Sequence, residues 1–195
     1  KKKYYTNTIN YINFEEDYEL FVKHDEQNYY SYEKLIQIPG IESVEFGERK
    51  SLNKDEIELL ITFTDPIGIG DFYLWKFGPK GNEKQYDYLV SKDLYNDGNQ
   101  FTFSFFIDKT EYFQKNDIVI VEMSGLTEEG FNYLNVLTAQ AGTQNGRPFS
   151  SASSIIRGNI INQSNLEKFP LGYYRVSEID YFSISKKDAP DGLFD

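Results

Sequence analysis

From Glu56 to Thr64 apolar and polar side chains alternate: Ile57, Leu59, Ile61 and Phe63 share one face at period two, and Leu60 alone makes the other face partly apolar. Successive side chains of a strand point to opposite faces, so the pattern predicts a central strand with its main face in a core. Gln100 to Ile107 repeats it, with Phe101, Phe103 and Phe105 set against Thr102 and Ser104. The preceding Asn96-Asp97-Gly98-Asn99 supplies residues that accept positive φ, which predicts a turn feeding that strand. Similar stretches predict further strands at Tyr18–Lys23, Tyr29–Leu35, Ser43–Glu48, Phe72–Phe77, Tyr86–Val90, Ile118–Met123, Gly172–Val176 and Tyr181–Ser185.

One segment follows a different period. Phe131, Leu134, Leu137 and Ala141 recur near helical spacing, with Thr127 placed as N-cap, Glu128 and Glu129 at the positive end and Gly142 after the last turn. This predicts a helix over 127–141. The polar, small residues from Thr143 to Ser154 predict a long connection. Pro39-Gly40 marks a boundary, so that residues 1–38 form the closing hairpin of a small immunoglobulin-like or transthyretin-like β-domain and 39–195 the main domain. The expected fold is all-β: an antiparallel β-sandwich with one helix at its edge.

Composition agrees with sheet. Aromatics make up 17% of the chain, with sixteen Tyr and sixteen Phe against one Trp and one Met, a usage that suits pleated surfaces. The net charge of -11 repels phosphate backbones and argues against nucleic acid as a partner. Lys1-Lys2-Lys3, the one basic cluster, reads as a solvated terminus. With no cysteine, disulfides, thiolate metal sites and a cysteine nucleophile are excluded. No stretch reaches the roughly 18 apolar residues of a membrane span, and the polar opening without methionine reads as a piece of a longer protein.

Candidate chemistry is sparse. His24, the single histidine, lies beside Asp25 and Glu26 at a hairpin turn and reads as a surface residue. Asp93, Asn96, Asp97 and Asn99 carry calcium-type oxygens, but Tyr95 stands at the third loop position and no glutamate follows at the right distance, which favours a plain β-turn. Asp65 and Asp71 bracket Pro-Ile-Gly-Ile-Gly and could flank a carboxylate cleft. Gly68 and Gly70 form Gly-x-Gly, but Tyr73 replaces the further glycine of a dinucleotide loop. The run Phe72, Tyr73, Trp75 and Phe77 either presents rings to a ligand or partner or packs alternate members into the core. No catalytic residue, metal site or cofactor is expected.

Several segments together resemble an uncharacterised family of Bacteroidetes outer-membrane lipoproteins, the domain-of-unknown-function 4249 family. They are Thr62-Phe63-Thr64-Asp65-Pro66 followed by Asp71-Phe72-Tyr73-Leu74-Trp75, the acidic loop from Lys92 to Gln100, and Val121–Ser124 leading into Thr127–Leu134. Gly146–Ser150, Arg157–Ile160 and Gly172-Tyr173-Tyr174 extend the likeness, which runs from about Tyr18 to Ser185. The resemblance implies a lipid anchor upstream, a place at the outer membrane, and an accessory role beside a β-barrel transporter of the TonB-dependent type. It carries no ligand and no catalytic residue.

The leading expectation is therefore a non-catalytic surface module that binds a transporter, its cargo or another outer-membrane protein. The alternatives are a glycan- or peptide-binding protein acting alone, for which Trp75 would have to be exposed, and a structural subunit with large exposed apolar patches. An enzyme acting on surface polymer would need Asp65 and Asp71 in a cleft.

Overall fold

The structure, a computed structural model, describes residues 13–68, 70–93, 97–113, 117–143 and 155–194. In chain order the strands are β1 (Asp17–His24), β2 (Gln27–Ile36), β3 (Ser43–Phe46), β4 (Glu56–Thr64), β5 (Phe72–Pro79), β6 (Asp87–Lys92), β7 (Gln100–Asp108), β8 (Ile118–Leu126), β9 (Ile161–Asn162), β10 (Val176–Ser177) and β11 (Ile179–Ser185). A one-turn helix α1 (Lys109–Tyr112) follows β7, and α2 (Glu128–Thr143) follows β8. The chain is mainly β, as the alternation predicts.

Two sheets enclose the main core: β3-β4-β7 on one side and β11-β8-β5-β6 on the other. The period-two faces meet between them. Ile57, Leu59, Ile61 and Phe63 of β4 pack with Tyr73, Trp75 and Phe77 of β5 and Val119, Val121 and Met123 of β8. Phe77 stacks on Phe105 with ring centroids 3.8 Å apart and planes 8° from parallel, which ties the two sheets ring to ring. Burying side chains of this size contributes about 1.5–3 kcal/mol each relative to exposure.

Helix α2 starts where expected. The Gly130 N–H donates to Thr127 Oγ1 at 3.1 Å, satisfying one of the free donors of the first turn. The helix packs on the outer face of β5, β6 and β8, with Phe131 against Phe72 at 5.2 Å, and buries Leu74 beneath it. Leu137, placed in the apolar stripe by its spacing, is 42% exposed instead, because the helix covers the sheet with its first turns. The helix runs on through Thr143, where the connection was expected to begin. Lys1–Lys3, Asn96 and residues 144–154 lie outside the described residues.

The hairpin that precedes Pro39-Gly40 pairs with strands that follow it. The hairpin β1–β2 turns through Asp25 and Glu26 at φ 47° and 60°, both left-handed, and forms a sheet distinct from the sandwich. That sheet also takes in β9, antiparallel to β2 at Tyr29 and Tyr30, and β10, parallel to β2 at Leu35 and Ile36. The hairpin β1–β2 thus shares its sheet with segments assigned to 39–195. The stretch around Pro39-Gly40 is pinned, not a free linker: the Ile38 N–H donates to Glu178 Oε2 at 3.1 Å and the Ile41 N–H to Asp180 Oδ2 at 2.7 Å. The strand expected over Gly172–Val176 shrinks to β10, because Tyr173 and Tyr174 are held by side chains. Tyr173 donates to Glu33 Oε1 at 2.7 Å, and the Tyr174 N–H donates to Asn159 Oδ1 at 2.8 Å.

Candidate functional site

At the end of the sandwich where β4 leaves the core and β5 enters it, two loops run side by side. The first is described at residues 65–68, 70 and 71 and carries both glycines of the Gly-x-Gly; the second is described at residues 93 and 97–99 and carries the acidic turn. Four hydrogen bonds join them. The Asp65 N–H donates to the Asn99 carbonyl at 3.0 Å and the Asp93 N–H to the Asp71 carbonyl at 2.8 Å. The Gly98 N–H donates to the Pro66 carbonyl at 3.3 Å and the Gly68 N–H to Asp97 Oδ1 at 2.6 Å. Gly68 and Gly70 sit at φ +135° and +112°, so the Gly-x-Gly serves a left-handed loop backbone.

The zippered loops bring together carboxylates that the sequence placed in two unrelated motifs. Asp65 is 2% exposed and Asp93 8%, while Asp71 is half-buried and Asp97 exposed. Asp65 Oδ1 accepts the Tyr73 hydroxyl at 2.8 Å. Its other oxygen, Oδ2, is buried with no hydrogen-bond partner among the described residues. Burial raises the Asp65 carboxyl above its ordinary value; the Tyr73 bond opposes this, and the nearby Asp93 and Asp71 charges add to it. Asp71 is raised by burial and then by Asp93 and Asp97. Tyr73 is pushed up as well, by burial and by its bond to Asp65. These are the marks of a negative cluster drawn out of water.

A cavity of about 150 Å³ opens against this cluster. Its apolar walls are Phe63, Leu89, Phe101 and Phe103; Asp65, Tyr73, Ser91 and Asp93 form the polar side, and Lys92 stands at the lining as its one positive residue. Behind the wall Trp75 donates its indole N–H to Ser91 Oγ at 3.0 Å and packs against Phe103 at 4.8 Å.

The aromatic run packs largely into the core. Tyr73, Trp75 and Phe77 are 3%, 1% and 0% exposed, since their face of β5 is the inner one, and Phe72 is half-buried under α2. Only Tyr73 reaches the site, from the inside. The glycan platform that required an exposed Trp75 has no such ring. Asp65 and Asp71 do converge, joined by Asp93 of the acidic turn. His24 lies far along the chain at the β1–β2 turn, 72% exposed in its side chain and 3.2 Å from Asp25. Among the described residues no group of three or more His, Asp or Glu is arranged to hold a metal ion. Sequence reasoning missed Phe101 and Phe103 as pocket walls; their mixed exposure is the signal, and it is set by the neighbouring sheet.

The family described as domain of unknown function, DUF4249, matches residues 1–180. The chain belongs to the DUF4249 family. The match spans the whole rim, including both loops, the walls of the cavity and helix α2. Comparison with curated proteins and with solved structures finds no match to set beside it.

Proposed function

We propose that this DUF4249 domain is a non-catalytic binding module that receives its ligand or partner at the zippered-loop end of the sandwich. The observation that carries the reading is the cavity itself: aromatic walls closing on a buried carboxylate whose second oxygen has no donor among the described residues. Small-molecule and side-chain pockets are built this way, largely apolar with a few oriented polar groups. Binding suits the site better than bond cleavage, because Asp65 is withdrawn from solvent and one of its oxygens is committed to Tyr73.

The wider setting rests on the resemblance: a lipid-anchored protein of the outer membrane acting as accessory to a β-barrel transporter of the TonB-dependent type. Affinity purification of the tagged full-length protein from detergent-solubilised outer membrane, with mass spectrometry of what is retained, tests it. A β-barrel protein at near-stoichiometric yield is expected; recovery of the protein alone overturns the accessory reading. A second reading, a structural subunit of a larger assembly, is favoured by the outer face of the small sheet. There Phe21, Tyr32 and Ile161 are 52%, 56% and 55% exposed around the Phe21–Tyr30 ring pair. Under that reading Phe21→Asp abolishes retention of the partner while the rim variants leave it intact.

A further inference from the structure

We infer that the rim cavity is a site for a primary ammonium on a short apolar stem, either a free alkylamine or the lysine side chain of a partner. The inference rests on reading this rim as the module's binding site and is independent of the membrane setting.

The unmet group sets the polarity of the ligand. Asp65 Oδ2 is a buried acceptor without a donor among the described residues, inside a residue only 2% exposed. A buried acceptor in that state costs about 1–3 kcal/mol, so an occupant that donates is favoured over one that does not. The surrounding charge selects its sign. Asp93 lies against Asp65, where its charge and a carboxyl–carboxylate hydrogen bond raise the Asp65 carboxyl together with the charge of Asp71, and Lys92 is the lining's single cation; an added cation therefore relieves what a neutral donor leaves in place.

The walls set the body of the ligand. Phe63, Phe101 and Phe103 with Leu89 offer carbon to most of the cavity, and ring faces attract ammonium groups within about 6 Å of their centroids. A cavity near 150 Å³ has room for roughly the heavy atoms of a benzene or a butylamine. A calcium ion is a poorer match, since it takes about six to eight oxygen ligands, and here the lining presents the carboxylates of Asp65 and Asp93, the Ser91 hydroxyl, and a Tyr73 hydroxyl already given to Asp65. An ammonium, with three donors and no acceptor, suits an acceptor-rich floor under apolar walls.

The chain contains its own reporter. Trp75 is the single tryptophan, and its indole bonds Ser91 of the lining. The full chain is titrated with n-butylammonium chloride, with 1-butanol, with calcium chloride and with Nα-acetyl-lysine amide, at matched ionic strength, following Trp75 emission. The expected result is a saturable change with butylammonium at an affinity at least about tenfold above that of butanol, weakened about tenfold or more in Asp65→Asn and in Asp93→Asn. Saturation by the lysine amide as well assigns the site to a partner's side chain; saturation by butylammonium alone assigns it to a free amine. Equal response to butanol, a saturable response to calcium that excludes butylammonium, no saturable response to either amine, or unchanged affinity in folded Asp65→Asn overturns the inference. Asp93→Asn decides the question if Asp65→Asn does not fold. Failure of this titration leaves the outcome of the outer-membrane purification untouched, and the reverse also holds.

Discussion

Glu58 and Asp65 are both 2% exposed and lie on the same stretch of chain, one inside β4 and one just past its end, yet they are opposites in chemistry. Glu58 is fully met. Its Oε1 accepts from Arg49 Nε at 2.6 Å and from the Ser104 hydroxyl at 2.6 Å, and its Oε2 accepts the Arg49 N–H at 2.9 Å. Burial pushes the Glu58 carboxyl up, but the bonds from Ser104 and Arg49 and the guanidinium charge outweigh it and hold it below its ordinary range. Asp65 has, among the described residues, one donor, with like charges for neighbours and a raised carboxyl. A buried charge with all its partners is a structural element, whereas one left half-met beside a cavity is a place for something else to bind.

Removing Glu58 has the largest expected effect. Glu58→Ala leaves the Arg49 N–H and the Ser104 hydroxyl without their acceptor and lowers stability by about 2–3 kcal/mol, read as a shift in the urea midpoint at unchanged slope. A shift under about 0.5 kcal/mol contradicts the view of Glu58 as a structural anchor.

Tyr73→Phe keeps the ring in the core and deletes the donor to Asp65. It lowers stability by about 1–2 kcal/mol, because both oxygens of a buried carboxylate are then unmet. In the background of Asp65→Ala, which removes the acceptor, most of that loss disappears, and a double-mutant cycle measures the coupling. Additive losses would show that the Tyr73 hydroxyl and Asp65 do not act as a pair.

The smallest effect has the opposite sign. Asp65→Asn keeps an oxygen for Tyr73 and removes a buried negative charge, so at neutral pH it raises stability by about 1 kcal/mol or less. The raised Asp65 carboxyl adds stability that is fully present below its unfolded value, ordinarily 3.8, and is lost as pH rises through the folded value. The gain of Asp65→Asn over the parent therefore grows as pH rises through that window and vanishes below it. Glu58 runs the other way: its lowered carboxyl gives stability present above the unfolded value of 4.5 and lost as pH falls through the folded one. Thermal melts of Asp65→Asn and Glu58→Gln from acid to neutral pH should diverge from the parent in opposite directions. A loss of stability in Asp65→Asn at neutral pH would mean that its second oxygen is satisfied.

Much of the fold was legible because burial is written locally. The period-two faces of β4, β5 and β7 name the core residues one by one, and Thr127 with Glu128 and Glu129 marks the start of α2. The site was legible only in pieces. Asp65 and Asp71 stood in one motif and Asp93 in another, while Tyr73 was read as part of an aromatic run. Their meeting depends on the pairing of β5 with β6, which sets Phe72 opposite Lys92 and so brings the loop before one strand beside the loop after the other. Strands β9 and β10 left no pattern, since two residues cannot display a period.

The sequence by itself determined which faces are apolar, where the helix is capped, and that the chain is acidic and cysteine-free, because each follows from the nearest few residues or from a sum over all of them. Only the tertiary structure decided that Trp75 is core, that the first hairpin shares a sheet with β9 and β10, and that Glu58 is met while one oxygen of Asp65 has no donor among the described residues. Those outcomes depend on long-range strand register, which places side chains from distant segments within hydrogen-bonding distance and leaves no trace in the spacing of either segment alone.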